Sequence, residues 1–211
     1  SGFPYERHDV RSRFTPLLEE TAWSQHPADV RILCVHHCIE GATVGPADYQ
    51  FTTAPDVIRT RDIPPAFDVV LSGHIHRHQV LTAHVDGRPL ATSVIYPGSI
   101  ERTALAEIGE TKGFMTLTCG ADAPRVRWTF HELPARPMLR NELAADGLTP
   151  AELRAAVEAI MSAAPGDAVL SIRVTGTLTS EHWQLLSSSR LRALHPEMNV
   201  EIVPDRPFDA R

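Results

Sequence analysis

The run Phe67-Asp68-Val69-Val70-Leu71-Ser72 stops at Gly73 and is followed at once by His74-Ile75-His76-Arg77-His78-Gln79. An apolar run of strand length closed by a glycine predicts a buried strand, and side chains placed just past it are delivered to a pocket at its carboxyl end. Two histidines one residue apart on a turn, rather than on the alternating faces of a strand, can point the same way. Neutral imidazole is the commonest nitrogen ligand for borderline divalent ions. Taken alone, such a turn reads as two solvated loop histidines, but the pattern recurs. Val30-Arg31-Ile32-Leu33-Cys34-Val35-His36-His37 is a second β-branched, apolar run that ends on histidine. His36, His74 and His76 are therefore the candidate metal ligands, with Zn, Mn and Fe(II) all compatible with the ligand type. His37 falls on the opposite side of its strand from His36 if extended geometry persists. Cys34, His36 and Cys38 would share that strand's other face, a rival structural zinc site that lacks a second cysteine or histidine pair to complete four ligands.

The rest of the chain divides by pattern. Val10, Phe14, Leu17, Leu18 and Thr21 fall at helical spacing behind Asp9, predicting an amphipathic helix over 10–23 with Asp9 as N-cap. The stretch from Glu40 to the Pro64-Pro65 pair is punctuated by glycine and proline and reads mostly as loop. Gln79–Val85 and Arg88–Tyr96 flank Asp86-Gly87, the signature of a two-residue hairpin turn, and Pro97-Gly98-Ser99 marks another tight turn. Phe114–Cys119 and Arg125–Glu132 are two further strands, the second alternating Val126, Trp128 and Phe130. Composition changes at Leu133-Pro134-Ala135-Arg136-Pro137. This predicts a domain of residues 1–133 and a small α/β module of residues 134–211. The module reads as a strand at 137–143, a helix opened by the Thr149/Glu152 capping box, a strand at 168–175, a helix at 180–194 and a last strand at 198–203.

The formal charge of −6 splits into −4 on residues 1–133, from 12 basic and 16 acidic side chains, and −2 on residues 134–211, from 8 and 10. Neither part is a basic domain that would grip phosphate backbones by charge alone. Cys34, Cys38 and Cys119 make an odd set without framework spacing, which suits a reducing compartment and predicts a cytoplasmic protein. No apolar run reaches membrane-span length, so no membrane partner is expected. Ser1-Gly2 does not read as a native start, and the chain is read as a fragment.

Three landmarks occur in order: VHHCIEG closing a strand, then LSGHIHRHQ, then YPGSIERTALAEIGETKGF. Together they resemble the carboxyl-terminal half of a calcineurin-like metallophosphoesterase, of the SbcD-like DNA double-strand-break-repair exonuclease branch. Residues 134–211 resemble that branch's capping domain. The resemblance implies an α/β (α+β) fold, the second half of a β-sandwich flanked by helices followed by the small capping domain. It also implies two metals, usually manganese, with zinc or iron as alternatives. His36 and His74 then correspond to ligands of one metal and His76 to a ligand of the other. The family's Asp-x-His motif, its bridging Asp and its Asn-His motif have no counterpart in these residues, so no catalytic residue is assigned within the chain.

On this reading the parent protein is a phosphodiester-cleaving enzyme acting on DNA, and these residues alone are inactive, because neutral histidines cannot supply the acidic bridge between two cations. The partners implied are DNA, the missing amino-terminal half and a second copy in a homodimer. The branch's coiled-coil ATPase binds after the cap and is not expected to contact residues ending at Arg211. Two alternatives stay open. One is a phosphoesterase of the same superfamily acting on small phosphate esters, favoured by the acidic balance. The other is a non-enzymatic binding module that retains a three-histidine site.

Overall fold

A computed structural model describes residues 1–122 and 124–205. The expectation about an ATPase-binding segment falls on the last residues of the chain, 206–211, which lie outside the described residues. The fold is α+β. The chain forms two compact units, Ser1–Ala135 and Arg136–Arg211, with the boundary two residues beyond the one read from sequence.

The first unit opens with helix α1 (Val10–Glu20), whose Val10, Phe14 and Leu18 are buried at intervals of four. It ends at Glu20, three residues earlier than predicted, with Thr21 as its C-cap. Asp9 sits at the N-cap in a left-handed conformation (φ 53°) and its side chain caps no backbone N–H. Instead its carboxylate accepts from the Ser12 hydroxyl at 2.6 Å. Strand β1 (Ile32–Val35) follows, and the excursion after it carries four two-residue strands, β2 (Cys38–Ile39), β3 (Thr43–Val44), β4 (Tyr49–Gln50) and β5 (Val57–Ile58), then a single 3-10 turn at Thr60–Asp62. Two of the short pairings, β2 with β5 and β3 with β4, hold this stretch together, so it is less loop-like than its glycines and prolines suggest.

Strands β6 (Val69–Ser72), β7 (Gln79–Ala83) and β8 (Pro89–Tyr96) complete the main sheet, in the order β1-β6-β8-β7. β1, β6 and β8 run parallel and β7 runs antiparallel to β8. The register pairs Val35 with Ser72, so His36 and Gly73 leave adjacent strands side by side. The β7–β8 connection is a three-residue loop, not two. The His84 N–H donates to the Arg88 carbonyl and the Gly87 N–H to the His84 carbonyl, with Gly87 at φ 82°. That is a type I turn closed by a left-handed glycine, the next commonest hairpin geometry.

One face of the sheet buries Leu33, Val35, Val70, Val94 and Tyr96 against the apolar stripe of α1 and against Ile39, Val57, Ile58 and Phe67. Burying the three α1 side chains removes enough apolar surface to contribute about 5–9 kcal/mol gross. The other face buries Val69 and Ile95 under a hairpin of β9 (Lys112–Cys119) and β10 (Val126–Leu133), whose Met115, Leu117 and Val126 point inward.

The second unit is a three-stranded parallel sheet of β11 (Met138–Ala144), β12 (Val169–Thr175) and β13 (Asn199–Pro204), in that order. Helix α2 (Pro150–Ala163) connects the first pair, starting from the complete Thr149/Glu152 capping box with Pro150 at its first position. Leu153, Val157 and Met161 form its buried stripe against Leu170, Ile172 and Val174. The helix expected over 180–194 is two helices, α3 (Ser180–Leu185) and α4 (Ser188–Leu194). The break falls at Leu186-Ser187, where Ser187 is extended (ψ 139°) and opens a run of three serines. Serine side chains compete for backbone hydrogen bonds and favour helix starts over helix interiors. Among the described residues no helix is long and apolar enough to cross a membrane.

Candidate functional site

The histidine loops stand on a braced floor. Just past β1, the buried Ser72 hydroxyl donates to the His37 carbonyl at 2.7 Å. The Tyr96 hydroxyl donates to the same carbonyl at 2.9 Å and accepts the Ile39 N–H at 2.7 Å. Tyr96 is fully buried, and burial pushes its phenol well above the ordinary range, so it remains a neutral donor. The backbone that presents His36 and His37 is thus pinned from two neighbouring strands. His36 is exposed and His37 is 1% exposed.

His36 lies against Gly73, where an added Cβ would sit 2.5 Å from its Nδ1. The glycine that ends β6 therefore makes room for an imidazole from the adjacent strand. His74 follows in a left-handed conformation at φ 75°, unfavourable for a residue with a Cβ and commonest where surrounding structure or a site holds it. This turn brings its ring to 5.4 Å from that of His36, centroid to centroid, at 80°. Desolvation first, then the neighbouring imidazoles of His36 and His76, lower the His74 pKa, with Asp56 opposing; the ring is held neutral, as a metal ligand must be.

His76 is held differently. Its Nδ1 lies 2.9 Å from Glu107 Oε1 and 3.0 Å from Thr103 Oγ1. Burial pushes the Glu107 carboxyl upward, but bonds from Lys112, His76 and Thr103 outweigh that and hold it down to about 2. An ionised carboxylate only accepts, so Nδ1–H donates to it, and in the neutral ring that leaves the lone pair on Nε2. A carboxylate that fixes the tautomer in this way commonly backs ligating histidines. Lys112, with a fully buried side chain, lies 2.7 Å from Glu107 Oε2 and 3.1 Å from Glu110 Oε2, and donates to the His76 carbonyl at 3.0 Å. Gly98 seals the loop from the other side. Its φ is 81°, and a Cβ there would meet the His76 carbonyl and the His78 N–H at 2.8 Å. The GHIH, YPGS and KGF landmarks, spread along the sequence, thus meet at one loop.

Two imidazoles with nitrogens about 2.1 Å from one tetrahedral ion place their ring centroids about 5 Å apart. The His36–His74 pair fits two ligands of such an ion. His76 is not gathered with them, because Glu107 and Thr103 engage its ring. Among the described residues, no group of three or more His, Cys, Asp or Glu side chains is close enough to hold a metal. The residues present therefore fit part of a metal centre and do not by themselves make a two-metal one. The rival cysteine site does not form either. Cys34 is exposed and Cys38 buried, and among the described residues they are not gathered with His36 into a group that could hold a metal.

Sequence reasoning missed Tyr5, whose ring stacks on His74 at 5.4 Å and His37 at 5.0 Å and meets His36 edge-on at 6.0 Å. No local pattern signals that contact. Glu107 and Lys112 lay inside the third landmark but carried no sign of their roles. Compared with known proteins, the sequence matches no family model and no curated protein.

Proposed function

We propose that this chain carries the histidine side of a metal-dependent phosphodiester-hydrolysing centre of the calcineurin-like, DNA-repair exonuclease kind, acting in the cytoplasm. The observation that carries this reading is the His36–His74 pair, 5.4 Å apart at the carboxyl ends of adjacent parallel strands, with His76, backed by Glu107, two residues beyond His74. His36 and His74 would hold one divalent ion, and Nε2 of His76 would serve a second; manganese is the ion proposed. Such ions, when bound, supply Lewis acidity and a nucleophile at neutral pH. The chain's own residues position imidazoles: Gly73 admits His36, the Ser72 and Tyr96 hydroxyls brace the loop, and Glu107 sets the His76 tautomer. The acidic ligands that would complete such a centre would come from a segment joined to or associated with this chain.

The test is hydrolysis of linear DNA and of a chromogenic phosphodiester with manganese. The 211-residue chain alone is expected to show negligible turnover. Expressed together with a segment that supplies the acidic ligands, it should be active, and His74→Ala should abolish that activity. If the chain alone cleaves either substrate well above a metal-only blank, and His74→Ala does so equally, the reading fails.

A further inference from the structure

On the first unit, a strand-length from the histidine loops, two adjoining cavities of about 250 and 340 Å³ share Arg61, His84 and Arg88 as lining residues. Gln79, at the start of β7, pairs with Tyr96 at the histidine edge, whereas Ala83 pairs with Pro89 at the other end. His84 therefore sits about 15 Å away along the strand, so this cleft is not part of the site above.

His84 is oriented through a relay. Its Nδ1 is 2.7 Å from Thr60 Oγ1, and the Thr60 hydroxyl donates to Glu40 Oε2 at 3.2 Å. A hydroxyl has one proton, so with that proton on Glu40 the imidazole must donate from Nδ1, which leaves Nε2 as the group available to a ligand. Thr60 is 4% exposed and Arg11 Nη2 stands 3.7 Å from Glu40 Oε1, so the relay is anchored at its far end. A half-buried carboxylate aligning a cleft imidazole through a buried hydroxyl is more than surface packing needs.

The arginines beside it have donors to spare. The Arg61 side chain comes no closer than 4.0 Å to the Asp62 carboxylate, and Arg88 engages Asp86 through Nε and its backbone N–H, leaving both terminal nitrogens without a partner among the described residues. The charged groups lining the two cavities are Arg11, Arg61 and Arg88 against Glu40 and Asp86, an excess of one positive charge before His84 is counted. The smaller cavity has an apolar wall of Ile63, Pro65 and Leu90 beside these donors. Planar guanidinium groups beside an imidazole suit a tetrahedral oxyanion, and an adjoining apolar wall suits an organic body attached to it.

We infer that this cleft binds a small phosphate monoester, with the terminal phosphate taken by the Arg61 and Arg88 guanidiniums and joined to Nε2 of His84 through one proton, carried either by a phosphate P–OH or by the doubly protonated ring, and the organic part lying against Ile63, Pro65 and Leu90. The site is independent of the proposed hydrolytic centre and stands or falls separately from it.

The test is an NMR titration of the histidine ring signals of the full chain in chloride buffer, using inorganic phosphate, adenosine 5′-monophosphate and adenosine. The nucleotide should shift the His84 signals saturably at millimolar concentration, phosphate more weakly, and adenosine not at all. Arg61→Gln and Arg88→Gln should each weaken nucleotide binding about tenfold, the worth of one charge-assisted contact. Both side chains are about 70% exposed, 70% for Arg61 and 71% for Arg88, so neither change threatens the fold. Thr60→Val should weaken binding by releasing His84, and Thr60→Ser should restore it. His74→Ala should leave it unchanged. No saturable shift at His84, equal binding of adenosine, or undiminished affinity in the Arg61→Gln/Arg88→Gln double variant would overturn the inference.

Discussion

Replacing Lys112 with methionine removes a charge from the place where this fold depends on one most. The Lys112 side chain is fully buried and its ammonium meets Glu107, Glu110 and the His76 carbonyl at 2.7, 3.1 and 3.0 Å. Methionine keeps the length of the stem and loses all of those contacts. A Glu107 carboxyl held at about 2 instead of 4.5 corresponds to about 3.4 kcal/mol of native-state stabilisation at neutral pH, shared among its three donors. Removing one partner of a buried pair typically costs about 3–5 kcal/mol, since the remaining charge is stranded. The expected loss is therefore about 3 kcal/mol. Urea unfolding at pH 7 measures it in a Trp183→Phe background, where Trp23 and Trp128 report only on the first unit. Glu107→Gln combined with Lys112→Met should cost clearly less than the two single changes together, because the Glu107–Lys112 pair is then removed from both sides while Glu110 keeps Arg77 at 3.1 Å. The Glu107 contribution is present above pH 4.5 and is lost as pH falls toward 2, so the Lys112→Met penalty should shrink on acidification. A penalty below about 1 kcal/mol, or strict additivity with Glu107→Gln, would refute the reasoning.

Two smaller perturbations probe the loops and the second unit. Gly98→Ala forces a Cβ into a left-handed position (φ 81°) and within 2.8 Å of backbone atoms of His76 and His78, and should cost at least about 2 kcal/mol by thermal or urea unfolding. Thr149→Ala should destabilise the second unit by about 1 kcal/mol through loss of the α2 cap. Bonds from the Thr149 backbone N–H and then its hydroxyl lower the Glu152 pKa, so the cap's contribution is full above pH 4.5 and fades as pH drops below it. Circular dichroism of the α2 signal against pH checks that fade, which Thr149→Ala should reduce, since the backbone N–H bond remains, and Glu152→Gln should abolish.

What could be read from the sequence was local. Val69–Ser72 and Ile32–Val35 announced themselves as buried strands through apolar runs that ended on histidine. The parallel register of Val35 with Ser72 then followed from neither run but from their pairing. Thr149 and Glu152 form their capping box because both halves of the signal lie within one turn. The groups that orient the histidines were not readable, because each lies thirty or more residues away. Glu107 reaches His76 across 31 positions and Tyr96 reaches His37 across 59. Nothing in Thr60 or Glu40 distinguishes them from other loop residues until the fold brings His84 beside them. His76 shows the limit most clearly. Its spacing from His74 suggested a shared metal, while the carboxylate that claims its Nδ1 comes from a separate 3-10 turn at Leu105–Glu107. The break between α3 and α4 lay hidden because Trp183, Leu186 and Leu194 keep helical spacing across it.

Of the 20 basic residues only Lys112 is a lysine, and its side chain has no solvent exposure. The folded chain therefore offers no lysine amine for acylation, cross-linking or ubiquitin attachment. A lysine-specific protease can cut within it only after Lys112–Cys119 leaves the sheet. With one cleavage position inside one strand, the rate at which two fragments accumulate reads out how often that hairpin opens. The arginine-rich remainder of the surface stays silent in the same experiment.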